Sequence, residues 1–170
     1  MNVYVQFSDA TETTIIASFG CPQSSAAFPN QATIDSSDAR YQAFINPAST
    51  LAGAQSAKIA ALTAAYQAAI QQPVSYTSKG GATKTYQADA GSIANLTQML
   101  LAFQSSQTVP VGFYWVSLDN TQVPFSYADM QALANALGTQ GAAAFQQLQT
   151  LRGKVNAAAT VAAVQTIDWP

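Results

Sequence analysis

Histidine is absent from this chain of 170 residues, and cysteine occurs once, at Cys21. Without imidazole, the Ser-His-Asp and Cys-His nucleophilic arrangements cannot be built, and neither can the zinc motifs that use histidine. A single cysteine excludes an intramolecular disulfide and offers no metal cluster. Placed between Gly20 and Pro22 with no base beside it, Cys21 reads as a small buried thiol.

Charge is also scarce. Charged residues make up 8% of the chain, against about 25% in ordinary globular proteins. The surface must therefore be built from Gln, Ser, Thr, Asn and Ala, and copies of such a surface repel one another weakly. The net charge is -2. The six basic residues (Arg40, Lys58, Lys79, Lys84, Arg152, Lys154) are scattered, so no footprint for a phosphate backbone is present and nucleic acid is not an expected partner. No run approaches the length of a membrane span, and the opening Met1-Asn2-Val3-Tyr4 has neither a basic region nor an apolar stretch. Membrane insertion and a Sec-type address are not expected.

What is present is an α+β pattern. The stretch from Phe113 to Leu133 carries its clearest instructions. An aromatic and β-branched run, Phe113 to Val116, suits a strand, and Asp119-Asn120 tolerates the positive φ of a hairpin turn. Pro124 limits the second strand to an edge or a strand end. Ser126, with Asp129 three residues on, caps a helix whose Met130, Leu133 and Leu137 share a face and which Gly138 can close. Beyond it, Phe145, Leu148, Leu151 and Val155 predict a further helix, and Thr160 caps a last short one.

Upstream, Val3, Val5 and Phe7 alternate with Tyr4 and Gln6, and Thr13 to Phe19 completes a hairpin, with Ala32 to Ile34 a short third strand. Ser37 can cap a helix to Phe44. Thr50 opens a long alanine-rich helix to about Gln71, with Leu51, Ile59, Leu62, Tyr66 and Ile70 in a narrow seam. That helix packs within its own chain, links two modules, or pairs with other copies as a short coiled coil. A hairpin turning at Lys79-Gly80-Gly81 brings Tyr76 and Tyr86 together as cross-strand neighbours. A helix capped by Asp89 follows, with Ile93, Leu96, Leu100 and Phe103 on one face. The hairpin-plus-helix order recurs, but without a residue match that marks an internal repeat. The expected organisation is a β-hairpin module over 1–46, a connecting helix over 47–73 and a domain of short antiparallel hairpins and packed helices over 74–170.

Candidate chemistry is thin. Asp35 and Asp38 can flank a helix start and hold a cation, but carboxylates at helix ends are ordinary caps, as Asp89 and Asp129 also read. Lys79-Gly80-Gly81 is a turn rather than a phosphate loop. No catalytic, metal or cofactor residues are assigned. Two surfaces are candidates for a partner. One is the apolar alternation of Val3, Tyr4, Val5 and Phe7 on an N-terminal strand expected to have an unpaired edge. The other is Tyr114, which alternation places on the face opposite Phe113 and Trp115.

Several segments carry a family resemblance. YVQFSD, ASFGCPQ, FPNQATID and SDARYQAFINP resemble the opening of tailed-bacteriophage tail-fibre assembly proteins. YTSKGGATKTYQAD, the spacing of Trp115 to Asp119-Asn120 to Val123, and AAATVAAVQTIDW resemble a domain of unknown function recurrent in phage tail and tail-fibre-associated proteins. The resemblance implies a non-enzymatic protein that binds the tail-fibre or baseplate polypeptide in the host cytoplasm and assists its assembly or attachment. The alternative it leaves open is a permanent structural subunit of the virion tail fibre or baseplate, forming a homo-oligomer through the Thr50–Gln71 helix. An enzyme acting on cell-surface glycan is a third class and would require paired acids.

Overall fold

The computed structural model describes all 170 residues. The fold is α+β, with antiparallel strands, small hairpins and long helices. The chain divides into two compact units, Met1–Ala60 with Gly153–Asp168, and Ala61–Arg152. It passes from one to the other within its two longest helices.

In the first unit, β1 (Asn2–Phe7) lies between β2 (Ile15–Phe19) and β3 (Gln31–Asp35), antiparallel to both. The third strand foreseen at Ala32–Ile34 thus returns along the open side of the hairpin, and β1 becomes the central strand. Gln6 pairs with Ala17 and Phe7 with Ile15, so Ile16 is the extra residue of a β-bulge and is thrown out to solvent. Val5, Phe7 and Ile15 form the buried core, covered by Tyr41 and Phe44 of α1 (Ala39–Ile45). The cap of α1 is Asp38 rather than Ser37, because Asp38 is the residue whose carboxylate reaches an orphan amide, that of Arg40. The Arg40 guanidinium also stacks 5.0 Å from the Phe7 ring centroid.

Pro47–Ser49 forms a single 3-10 turn. Thr50 then accepts the amide of Gly53 and opens α2 (Leu51–Ile70). Gln55 donates to the carbonyls of Val155 and Ala158, and Lys58 donates to Gln165 and pairs with Asp168, which ties the C-terminal segment into this unit. Within that segment, Val155 and Val164 are fully buried, and Thr160 caps α5 (Val161–Gln165) as the sequence indicates.

The second unit is built from two hairpin-plus-helix motifs. The first comprises β4 (Val74–Thr77), β5 (Thr83–Tyr86) and α3 (Ala90–Ala102); the second comprises β6 (Tyr114–Val116), β7 (Gln122–Pro124) and α4 (Tyr127–Ala157). The two hairpins correspond position by position, and the second motif reaches its helix cap two residues sooner, at Ser126 against Asp89. Ser78 and Ser117, both buried, close their hairpins by donating to Ala82 and Thr121. Gly81 and Asn120 stand at the same place in the two loops with φ of 85° and 60°. Tyr86 and Phe125 follow at the same spacing and are both buried. The caps exchange their parts: Asp89 accepts from Ser92 in the first motif, whereas Ser126 accepts from the amide of Asp129 in the second. The hairpins thus recur in side-chain role where residue identity hides it, and the helix cap recurs in role but not in register.

The core joins Tyr86, Leu96, Val123, Phe125, Tyr127, Met130 and Leu133, with Trp115, Leu100 and Phe103 packed on it. Tyr76 faces Lys84 across the ladder, not Tyr86, which pairs with Val74. The two tyrosine rings still meet diagonally at 6.4 Å, and both contact Phe125. Ile93, expected on the apolar face of α3, is partly exposed, and so is Phe145, which meets Tyr66 edge-on. Gly138 does not close its helix. α4 runs through it unbroken to Ala157, since a glycine in αR conformation interrupts no hydrogen bond and Leu148, Leu151 and Val155 bury the later turns.

Candidate functional site

The N-terminal residues do not form the open edge that their alternation suggests. Val5 and Phe7 are wholly buried and Val3 partly so, while β1 is paired along both sides. A central strand has no free donors or acceptors to offer a partner. Tyr4 points to the opposite face, where it lines a shallow cavity of about 320 Å³ with Gln23, Gln31 and Thr33. Cys21, expected buried, is exposed in the loop after β2.

The other candidate stands as alternation placed it. Along the β6 hairpin, Trp115 and Ser117 turn inward and Tyr114, Val116 and Leu118 turn outward, at 47%, 39% and 47% exposure. Val116 and Leu118 carry the same signal as Tyr114, because the period of two continues through the small Ser117 into the turn. The hairpin is held firmly. Ser117 donates to Asp119 at 2.5 Å, and Lys84 Nζ reaches the other oxygen of that carboxylate at 2.7 Å. Those contacts, with Lys84 first, hold the Asp119 carboxyl well below the usual carboxylate range.

The hydrogen-bond register shows where the main-chain groups of β6 point. Ser117 donates to Thr121, Trp115 pairs with Val123, and Phe125 donates to Phe113, so these alternate residues make the β6–β7 ladder. The N–H and C=O of Tyr114 and Val116 therefore point away from β7. On that side Leu118 donates to the carbonyl of Thr85 at 2.8 Å. Beyond this one bond β5 diverges, since Asp89 turns its chain into α3. A wedge of about 280 Å³ remains, lined by Tyr114, Trp115, Val116, Gln87, Ser92 and Asn95.

Elsewhere in this unit Asp129 is almost fully buried, at 2% exposure. It accepts from Tyr76 Oη at 2.9 Å, from the Lys79 amide at 2.7 Å, and from the amide and hydroxyl of Ser126 at 2.8 and 2.5 Å. Burial pushes its carboxyl up, but the Ser126, Lys79 and Tyr76 hydrogen bonds together outweigh it and leave the group below its ordinary value. Burial, and next the bond to Asp129, push the Tyr76 hydroxyl up to about 12. Ser78 Oγ and Tyr86 Oη are buried nearby without a partner in the chain. The Asp129 network is a buried joint between the first hairpin and the second helix.

The remaining carboxylates serve similar ends. Asp35 accepts the amide and hydroxyl of Ser37, Asp38 caps α1 and holds Arg40, and Asp89 caps α3. No group of three or more His, Cys, Asp or Glu is placed to hold a metal ion. No helix is long and apolar enough to cross a membrane.

An α+β unit of paired hairpins and helices presenting an apolar strand edge is the class of protein this geometry defines. Residues 53–168 match the family described as a domain of unknown function (DUF4376), more than half of the chain, and the chain belongs to that family. No curated protein and no solved structure shows significant similarity to it.

Proposed function

We propose that the protein is a non-enzymatic phage tail component that binds the tail-fibre polypeptide and assists its assembly or attachment. The observation that carries this reading is how the side chains are used. Asp35, Asp38, Asp89, Asp119 and Asp129 are engaged in caps, turns and joints, while Tyr114, Val116 and Leu118 stand in solvent on one face of a rigid hairpin. Exposed apolar side chains in a row are a recognition surface more readily than a packing accident. The resemblance of the first 46 residues to tail-fibre assembly proteins supplies the partner, and the Tyr114 face replaces the N-terminal strand as its docking site.

Co-expression with a tail-fibre polypeptide tests the reading: the fibre should be recovered soluble and in complex. Purified virions then separate the two roles. An assembly factor is scarce there, whereas a permanent subunit of fibre or baseplate appears in fixed ratio to other tail proteins.

A further inference from the structure

The outward edge of β6 is an unfinished piece of sheet. Tyr114 and Val116 sit opposite Pro124 and Gln122 as non-hydrogen-bonded pairs, so each turns its main-chain donor and acceptor to the wedge, spaced as a strand requires, where no segment of the chain bonds to them. β5 already engages this edge through the Leu118 to Thr85 bond, then departs where Asp89 begins α3. The opposite wall carries Gln87, Ser92 and Asn95, three uncharged side chains able to donate or accept.

We propose that this wedge receives an extended segment of a partner polypeptide, which adds as a strand to β6 in the place that β5 vacates. The chemistry of the occupant follows from the lining. Every residue lining the wedge is uncharged, and the Asp89 carboxylate next to Ser92 is taken up by that residue's amide and hydroxyl, so a charged side chain entering the wedge would lose hydration without a free counter-charge. Alternate side chains of the segment lie along Tyr114 and Val116, so those positions are apolar. The intervening ones face Gln87, Ser92 and Asn95 and are small and polar, as in a Thr-Val alternation. The proposal rests on the assembly reading only for where such a segment would come from; the mode of binding stands on the edge itself.

The test uses the full chain and a short labelled peptide in which threonine and valine alternate between flanking glycines. Amide exchange by NMR should show Tyr114 and Val116 exchanging freely in the protein alone and slowed about tenfold or more with the peptide. Val116→Pro removes an N–H that the β6–β7 ladder does not use, so the variant should melt like the parent and lose peptide binding. Val116→Thr keeps that N–H and should retain binding. Lack of peptide binding to the parent, equal binding by Val116→Pro, or unprotected Tyr114 and Val116 amides in the complex would overturn the proposal. So would protection that rises with protein concentration before peptide is added, which would make a second copy the occupant. Fibre capture that survives Val116→Pro would refute this edge and leave the assembly reading intact.

Discussion

Asp129 is a carboxylate removed from water and repaid entirely in hydrogen bonds from neutral donors: a tyrosine hydroxyl, a serine hydroxyl and two main-chain amides. Asp129→Ala leaves those donors buried and unmet, which should lower stability by about 2–3 kcal/mol in urea titration. A loss within the scatter of a surface substitution would show the joint to be dispensable. Replacing Phe125, which contacts both the Tyr76 and Tyr86 rings, by Ala should lower stability by about 3–5 kcal/mol. The carboxyls of Asp38, lowered to about 2 by Arg40, and of Asp35, Asp119 and Asp129 all titrate below their unfolded values. Their contribution is complete above the unfolded carboxylate range and is lost as pH falls through the folded values. With no histidine in the chain, melting temperature should be flat from about pH 5 to 7 and drop below about pH 4. A midpoint of stability loss near neutrality would contradict this assignment.

Glycine has opposite meanings in the two long helices. At Gly53 an added Cβ would sit 1.9 Å from the carbonyl oxygen of Pro47, so Gly53→Ala should destabilise the first turn of α2. At Gly138 nothing lies within 4 Å, and Gly138→Ala should stabilise α4 by about 1 kcal/mol. Thermal melts of the two variants should therefore move in opposite directions. Gly138 also marks how far sequence reading reaches. The Asp119-Asn120 turn, the Asp89 cap and the Ser126-Asp129 pair are legible because each is decided within a few residues. The continuation of α4 depends on burial of Leu148 and Val155, and the central place of β1 depends on a return by β3, neither of which local preference encodes. The face of Tyr114 was legible from period alone. The recurrence was hidden because Asp-x-x-Ser and Ser-x-x-Asp perform one task with the residues exchanged and the second pair two residues nearer its hairpin.

At the scale of the whole molecule, low charge and exposed apolar side chains act together. A surface with few like charges resists close approach weakly, and Tyr114, Val116 and Leu118 supply contact area once approach occurs. The C-terminal segment also serves the first unit, through Lys58 to Asp168 and the buried Val155 and Val164. Removing residues 153–170 should therefore lower the thermal stability of that unit, not leave it unchanged as loss of a solvent-exposed tail would. The proposed binding of a tail-fibre polypeptide is tested by co-purification from cells that express this chain together with a tail-fibre polypeptide. The expected result is a stoichiometric complex and a soluble fibre polypeptide. A fibre that folds and trimerises equally well without the protein, and never co-purifies with it, would contradict the account.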